Sequence, residues 1–272
     1  MLAKLFTALC WFSPSLRRLM WRQWYEFLAG RYERKDWSFM NYGYAPLDPH
    51  AEKLALDEAD APNRYSIQLY HHVANAVSLK DSTVLEVGSG RGGGSYYIKR
   101  YLGPQTVVGV DFSEKAVAFC NRNYFLDGLS FVTGDAELLP FENNSFDVVV
   151  NVESSHCYGS MDAFLLQVKR VLRHNGYFLY ADLRGKDKVD TLYKQLCRSG
   201  MALIKETNIT PNVLEALNLD NERKTTLIQQ SMRKLLLYTF QEFAGLKGTT
   251  IYEGLRSGSV IYLSFVLQKR EA

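Results

Sequence analysis

The sequence predicts an α/β protein built on a mostly parallel β-sheet that is covered by helices. Between residues 80 and 182, short apolar runs alternate with amphipathic segments, which is typical of βαβ units with right-handed crossovers. A dense cluster of glycines follows the first of these runs directly. Residues 259–268 carry the strongest strand pattern in the chain, with apolar and β-branched side chains throughout.

The composition is that of an ordinary globular protein. The sequence is 47% hydrophobic and 22% charged. Its length of 272 residues is enough for one large domain or two small ones. The net charge of +3 is too small to indicate nucleic acid as the main partner. The four cysteines show no C-x-x-C spacing, which argues against a zinc site or a disulfide framework and favours the cytoplasm.

Residues 1–35 differ from the rest of the chain because they are basic and hold Trp11, Trp21 and Trp24. We expect helices here, broken near Ser13 and Pro14. The apolar run within them is too short to span a bilayer and lacks the cleavage site of a signal peptide. We favour a helix packed over the domain. The alternative is peripheral contact of residues 1–25 with a membrane surface.

The elements follow in order along the chain. A helix is expected at about 48–77, and later helices at 92–102, at 114–126 and after Ser160. Ser113 and Ser160 each precede a helical stripe and are of the type that caps helices. Five strands are expected, at 84–87, 106–111, 129–133, 146–151 and 177–181. The fourth is nearly all apolar, as in a strand buried on both faces.

The alternation of apolar runs and amphipathic segments ends after residue 182. Residues 185–245 look helical, with a helix start at Thr210-Pro211, and two further strands are expected at 249–252 and 259–268. The complete prediction is a Rossmann-like, seven-stranded, mostly parallel sheet whose last strand is antiparallel. Its core comprises residues 78–184 and 246–272. An N-terminal helical cap comprises residues 1–77, and a helical substrate cap, residues 185–245, is inserted before the final strands.

The glycine cluster indicates an adenosine-type cofactor. Gly88, Gly90 and Gly93 match G-x-G-x-x-G after a strand, which taken literally suits a nicotinamide dinucleotide. Glu86 argues against that interpretation, because a carboxylate beside the loop would repel a pyrophosphate. It suits a cofactor that carries an ammonium group and no phosphate.

Acidic residues end the next two strands. Asp111 can accept hydrogen bonds from both hydroxyls of a ribose, a feature that nicotinamide enzymes share. Asp135 can accept a hydrogen bond from an adenine amine, while the backbone N–H of Ala136 faces a ring nitrogen. Ligands bind at the carboxyl ends of such strands, so these residues should converge in space.

The segment after the fourth strand brings an amide, a carboxylate, an imidazole and a phenol to the expected reaction centre: Asn151, Glu153, His156 and Tyr158. His156 is the candidate general base, although it could equally be a core histidine. Glu153 could hold His156 or bind substrate. The pair His71-His72 has no evident third ligand, so no metal site is expected.

Four motifs resemble those of class I S-adenosylmethionine-dependent methyltransferases, in the right order over about residues 80–183: VLEVGSGRGG, VVGVDFS, GDAELLPFENNSFDVV and VLRHNGYFLYADL. The resemblance implies S-adenosylmethionine as cofactor. It implies that Glu86, Gly88 and Gly90 hold the methionine part, Asp111 the ribose, and Asp135 and Ala136 the adenine. The other candidate cofactor ligands are Ser89, Phe112, Gly134, Asn151 and Tyr42.

A narrower resemblance joins FMNYGYA, VESSHCY and YFLYADLR to a subgroup that methylates hydroxyls on lipids and polyketide-like molecules. The phthiotriol, glycopeptidolipid and fatty-acid O-methyltransferases belong to it. The resemblance implies O-methylation of a hydroxyl or carboxyl group on a hydrophobic small molecule. His156 and Glu153 are then the catalytic candidates, and Tyr44 and Tyr158 the substrate contacts. His174-Asn175-Gly176 replaces the usual Pro-Gly-Gly turn.

Three alternatives stay open. The first is C-methylation of an isoprenoid or quinone-like ring, with Glu153 and His156 as bases. The second is a nicotinamide oxidoreductase, and the third is a scaffold that binds the cofactor without catalysis. A base is not compulsory for methyl transfer, because the sulfonium is already activated and alignment can supply most of the acceleration.

Overall fold

The computed structural model describes Glu26, residues 37–231 and residues 234–270. Within these residues the strands are β1 (Thr83–Val87), β2 (Thr106–Asp111), β3 (Leu129–Thr133), β4 (Phe146–Val152), β5 (Leu172–Gly185), β6 (Ala202–Asn208) and β7 (Val260–Gln268). They form a seven-stranded sheet in the order β3-β2-β1-β4-β5-β7-β6. Strands β1 to β5 pair in parallel, and β7 runs antiparallel to both of its neighbours. The predicted fold class is confirmed.

Helices cover this sheet. The described ones are α1 (Arg64–Ala74), α2 (Gly93–Tyr101), α3 (Glu114–Asn123), α4 (Met161–Val171), α5 (Val189–Arg198), α6 (Thr210–Ser231), α7 (Lys234–Ala244) and α8 (Thr250–Ser257). The two predicted caps are confirmed: Ser113 Oγ accepts a hydrogen bond from the N–H of Ala116, and Ser160 Oγ from that of Ala163, both at 3.1 Å. Each cap satisfies a backbone donor that the helix itself leaves unpaired.

Strand β4 shows why the sheet is buried on both faces. Val148 and Val150 belong to one hydrophobic cluster and Val149 to the other, because successive side chains of a strand point to opposite faces. All three are at most 3% exposed. The apolar run in the sequence therefore indicates that both faces of β4 are buried, as expected for a central parallel strand.

The prediction is wrong for two elements after residue 182. The segment expected to be wholly helical contains β6, which pairs with β7 at the edge of the sheet. Its Lys and Glu side chains favour a helix locally, but the edge of β7 offers it a ladder of backbone partners, interrupted by a register shift between Leu203 and Lys205. Residues 249–252, expected to be a strand, begin α8 instead, because Thr249 Oγ1 caps it by accepting from the N–H of Tyr252 at 3.4 Å.

The N-terminal part of the prediction is only partly tested. The helix expected at 48–77 is shorter, with a 3-10 turn at Ala61–Asn63 followed by α1. Residues 1–25, the candidate membrane contact, lie outside the described residues. Within the described ranges, no helix is both long and apolar enough to cross a membrane. The division into a core and two caps stays a prediction.

Chain order reverses beside β1, and this positions the site. Val84 of β1 pairs with Val107 of β2 on one side and with Val148 of β4 on the other. In parallel sheets, ligands bind in the crevice at such a switch point, outside the carboxyl ends of the strands. The glycine loop that follows β1 lies at this crevice.

Replacing Ser160 with alanine tests the cap of α4. The N–H of Ala163 loses its acceptor, so we expect the free energy of unfolding to fall by about 1 kcal/mol. Urea denaturation should show a lower midpoint and an unchanged slope. Ser160→Asp, which keeps an acceptor at the same place, should retain most of the stability. Equal stability of the alanine variant and the wild type would contradict this role of the cap.

Candidate active site

A cavity opens at the carboxyl ends of β1 to β4. Its walls are the loops after these strands, residues 37–42, and parts of α6 and α7. Of the residues predicted from the sequence, those that line it are Tyr42, Gly88, Ser89, Gly90, Asp111, Phe112, Gly134, Asp135, Ala136, Glu153, His156 and Tyr158. Glu86, Asn151 and Tyr44 do not line it.

The loop after β1 approaches the cavity with its bare backbone. Gly88 and Gly90 have φ angles of 77° and 51°, a left-handed conformation that glycine adopts without strain. A Cβ atom on Gly88 would lie 2.4 Å from Ser154 Oγ. Ser89 Oγ is buried and has no hydrogen-bond partner among the described residues. A Cβ atom on Gly90 would meet no atom of the described residues within 4 Å, so the loop leaves space for a ligand beside Gly90 and offers it the polar Ser89 Oγ.

Glu86 lies beneath this loop and not in the cavity. Its side chain is fully buried and accepts hydrogen bonds from Tyr70 OH at 2.7 Å and from Ser95 Oγ. Burial raises its pKa to about 7, although these two hydrogen bonds oppose the shift. Glu86 therefore ties the loop to α1 and α2. Its predicted contact with a cofactor ammonium stays a prediction.

Asp111 joins the ends of β1 and β2. Its Oδ2 accepts a hydrogen bond from the N–H of Gly90 at 2.8 Å, and its Oδ1 accepts one from the N–H of Ser113 at 2.9 Å. Both oxygens retain further lone pairs, since a carboxylate can accept about four hydrogen bonds. The carboxylate thus orders the glycine loop and still faces the cavity.

The end of β3 contributes a second acidic wall. Gly134 donates its N–H to Asp111 O at 2.9 Å, which brings the Asp135 segment beside the end of β2. Asp135 Oδ1 accepts from the N–H of Glu137 at 3.0 Å. A Cβ atom on Gly134 would lie 2.7 Å from Val110 Cγ2, so close packing explains the glycine there.

Asn151 supports the site from below. Its Nδ2, which has two hydrogens to donate, lies 2.8 Å from Val87 O, 2.7 Å from Ser154 Oγ and 3.0 Å from Tyr158 OH. Its Oδ1 is buried and has no partner among the described residues. Asn151 therefore connects the end of β4 to the glycine loop and positions Tyr158, which does line the cavity.

His156 is paired with a buried carboxylate. Its Nδ1 lies 2.8 Å from Asp182 Oδ1, and Asp182 is 1% exposed. Asp182 Oδ2 accepts from Ser155 Oγ at 2.6 Å, and Arg184 lies 3.1 Å away. Burial disfavours the charged imidazolium, but Cys157 and Asp182 outweigh it and raise the pKa of His156 well above its ordinary value. The ring therefore holds a proton firmly.

Glu153 adopts a conformation that is rare for a residue with a side chain. Its φ angle is 52°, and such strained positions concentrate at functional sites. Its Oε2 accepts from the N–H of Tyr42 and from Tyr262 OH, both at 2.9 Å. Burial raises its pKa to about 7. Glu153 is therefore a buried, hydrogen-bonded carboxyl group that contacts Tyr42, and it is not a surface acid.

Tyr44 contributes to packing. Its ring stacks on His72 with 4.6 Å between ring centroids, and its N–H donates to Tyr65 O at 2.9 Å. The predicted contact of Tyr44 with substrate is therefore not supported by its position. Tyr42, in contrast, lines the cavity beside Glu153.

Sequence reasoning missed two residues of this site. Asp182 follows the fifth predicted strand, so the rule that functional groups gather at strand ends could have found it. Lys224 lies on α6 and lines the cavity, but no motif near it marks it. Helix α6 reaches the site only through tertiary packing.

Comparison with known proteins agrees with this geometry. The family model described as "Methyltransferase domain" matches residues 78–245, which is more than half of the chain. The phthiotriol/phenolphthiotriol dimycocerosates methyltransferase of Mycobacterium leprae is 36% identical over 257 residues, covering 94% of each chain. The chain belongs to the methyltransferase domain family. The fatty-acid O-methyltransferase of Mycolicibacterium smegmatis is also 36% identical and covers 90% of this methyltransferase and 88% of its own length.

Solved structures share the fold of this methyltransferase. The [4+2]-cyclase SpnF superposes with a TM-score of 0.70 at 15% identity, covering 93% of this chain and 96% of its own. The geranyl diphosphate C-methyltransferase of Streptomyces coelicolor A3(2) gives a TM-score of 0.63 at 17% identity, covering 90% and 98%. At such low identities the likeness shows only a shared architecture. One of these two proteins is a cyclase, so the shared fold does not imply a shared reaction.

Family membership confirms the predicted activity class and, with it, the predicted cofactor, S-adenosylmethionine. It favours this interpretation over the nicotinamide oxidoreductase that the literal glycine motif allowed. The assignment of individual residues to the cofactor, the acceptor and catalysis stays a prediction.

Replacing Glu86 with glutamine tests the buried carboxyl. The folded protein keeps the proton up to about pH 7, whereas the unfolded chain releases it near 4.5. Protonation of Glu86 in the folded state therefore adds about 3 kcal/mol to the free energy of unfolding below pH 4.5, and this addition is lost as the pH rises to 7. We expect Glu86→Gln to gain stability relative to the wild type across this range, measured by denaturation at each pH. Parallel curves for the two proteins would refute the shifted pKa.

Proposed function

We propose that this methyltransferase transfers a methyl group from S-adenosylmethionine to an oxygen atom of a hydrophobic acceptor, a hydroxyl or carboxyl group on a lipid, polyketide or related natural product. The observation that carries the proposal is the pair of His156 and Asp182, whose imidazole lines the same cavity as the glycine loop. The names of the two relatives, a phthiotriol dimycocerosates methyltransferase and a fatty-acid O-methyltransferase, support this acceptor class.

The residues at the strand ends fit the cofactor. We assign Gly88, Ser89 and Gly90 to its methionine part, since the loop is bare there and Ser89 Oγ is a polar atom without a partner among the described residues. Asp111 and Phe112 are assigned to the ribose side, and the Gly134–Ala136 segment to the adenine. When bound, the cofactor supplies a methyl group on a positively charged sulfur, activated for in-line displacement.

The opposite part of the cavity suits an apolar acceptor. Leu227 and Ile228 of α6 and Phe240 and Phe243 of α7 line it, and pockets of this kind exclude water while a few polar groups fix orientation. His156 and Glu153 are two polar groups that line this cavity. The acceptor oxygen therefore has fixed partners at one end and an apolar wall at the other.

His156 can act as the base for a hydroxyl acceptor. With Nδ1–H donated to Asp182, the ring would take the hydroxyl proton at Nε2, and the carboxylate would stabilise the resulting imidazolium. Because Asp182 and Cys157 raise the pKa of His156, the neutral form grows only as the pH rises. Methylation of an alcohol should accordingly accelerate with pH. A carboxyl acceptor is already ionised and needs no proton removed.

Glu153 positions the segment that closes the cavity. It accepts the backbone N–H of Tyr42, so it holds residues 37–42 against the end of β4. We assign it this positioning role. Its action as a base on a carbon-bound proton would belong to C-methylation, which analysis of the methylated product distinguishes by the position of the new methyl group.

Binding of the cofactor can be tested at Gly88. In Gly88→Ala, a Cβ would collide with Ser154 and the left-handed backbone would be strained, so calorimetry should show S-adenosylhomocysteine binding roughly tenfold weaker or worse. The control is Gly103→Ala, where φ is 69° and nothing lies within 4 Å; it carries the same strain away from the cavity and should bind normally. Tight NADH binding by the wild type without S-adenosylhomocysteine binding would refute the proposed function.

Catalysis can be tested at Asp182. Asp182→Asn removes the charge that favours the imidazolium, so the pKa of His156 should fall and the rising limb of the pH–rate profile for an alcohol should move to lower pH. The maximal rate should drop roughly 100- to 10,000-fold. The assay follows transfer of the labelled methyl group, and cofactor binding verifies folding. Unchanged turnover of His156→Ala would eliminate His156 as the base.

A further inference from the structure

A lysine is buried in the apolar wall of the cavity. Lys224 on α6 is 9% exposed and lines the cavity together with Leu227 and Ile228, three and four residues further along the same helix. Residues at this spacing share one face of a helix. The charged end of Lys224 is thus placed among the side chains that would surround a hydrophobic acceptor.

The protein itself satisfies this ammonium poorly. Lys224 Nζ donates to Asn41 O at 3.4 Å and to Tyr42 O at 3.3 Å, both longer than ordinary N–H···O bonds. An ammonium group has three donors. The described residues therefore give Lys224 two weak acceptors and leave donor capacity for a ligand.

The nearby carboxylates are engaged elsewhere. Asp220 accepts two hydrogen bonds from Arg223, both at 2.6 Å, and Glu153 is taken up by Tyr42 and Tyr262. Among the described residues, no carboxylate lies within salt-bridge distance of Lys224. Burial lowers the pKa of Lys224, while Asp220 and Glu153 oppose this at longer range.

A buried cation without a direct counter-ion is costly, because it has left water and gained no pairing energy. A ligand anion would supply that pairing. Because Lys224 lines the cavity beside Leu227 and Ile228, the anion that suits this wall is a carboxylate at the end of a long hydrophobic chain.

We propose that Lys224 binds the carboxylate of the methyl acceptor and thereby selects hydrophobic carboxylic acids over the corresponding alcohols. This rests on the proposed function and decides between the two acceptor groups that it allows. One carboxylate oxygen stays paired with Lys224. The other forms the new bond to the methyl carbon while the carbon–sulfur bond breaks, and the electron pair remains on sulfur. The products are a methyl ester and neutral S-adenosylhomocysteine, and no proton is transferred.

The test compares dodecanoic acid with dodecanol on the full-length enzyme. In Lys224→Met, which keeps most of the length of the side chain without its charge, kcat/KM for the acid should fall roughly tenfold to hundredfold, the value of a charge-assisted hydrogen bond. The value for the alcohol should hold within about twofold of the wild type, since a neutral group gains little from the cation. Lys224→Arg should recover part of the activity on the acid.

Arg223→Met is the matched control, because Arg223 lines the same cavity but its charge is engaged by Asp220. It should leave the acid-to-alcohol ratio unchanged. If Lys224→Met lowers both activities equally, Lys224 merely braces residues 41–42, and the inference is overturned while the proposed function stands. The inference is likewise overturned, and the proposed function again stands, if the wild type methylates the alcohol and not the acid.

Calorimetry of dodecanoate with the S-adenosylhomocysteine complex gives a readout that does not need turnover. Binding by the wild type that weakens at least about tenfold in Lys224→Met, and not in Arg223→Met, supports the inference. Equal affinities in all three proteins overturn it. A methyl group found on carbon in the product would overturn the proposed function itself, whatever Lys224 binds.

Discussion

Backbone hydrogen bonds hold β1 between β2 and β4, and the rest of the site follows from this pairing. Val84 is in register with Val107 on one side and Val148 on the other, so the loops after three strands open at one crevice. Asp111 then reaches Gly90 across that crevice, and Asn151 reaches Val87 from the other direction. The glycine loop is thereby fixed from both sides before any ligand arrives.

The charged groups of the site differ in how well opposite charges and hydrogen bonds compensate the cost of burying them. Asp182 is matched by His156 and Arg184, and these hold its pKa well below the usual range despite burial. Burial raises the pKa of Glu153 to about 7, and the hydrogen bonds from Tyr42 and Tyr262 offset this only in part. Lys224 receives two long contacts to carbonyls. The pair of Asp182 and His156 is thus complete within the protein, whereas the lysine is left for a partner.

Local patterns predicted much of the architecture. The caps at Ser113 and Ser160, the doubly buried β4 and the start of α6 at Thr210 depend on a few neighbouring residues, so the sequence shows them directly. Strand β6 escaped prediction because its pairing with β7 outweighs its own preference. The sequence placed Glu86 in the right motif, but it did not show that Glu86 lies below the loop. That position depends on hydrogen bonds to Tyr70 of α1 and Ser95 of α2.

The amino-acid sequence by itself determined the order of strands and helices up to residue 182, the glycine loop and the acids at the strand ends. Periodicity and turn chemistry are local properties, and they sufficed for the loops that line the cavity at the ends of β1 to β3. Tertiary structure decided the rest of the cavity. The contact of Asp182 with His156 spans 26 positions in the chain, and that of Lys224 with Tyr42 spans 182. Only the packing of distant elements creates such neighbours, and no local pattern encodes them.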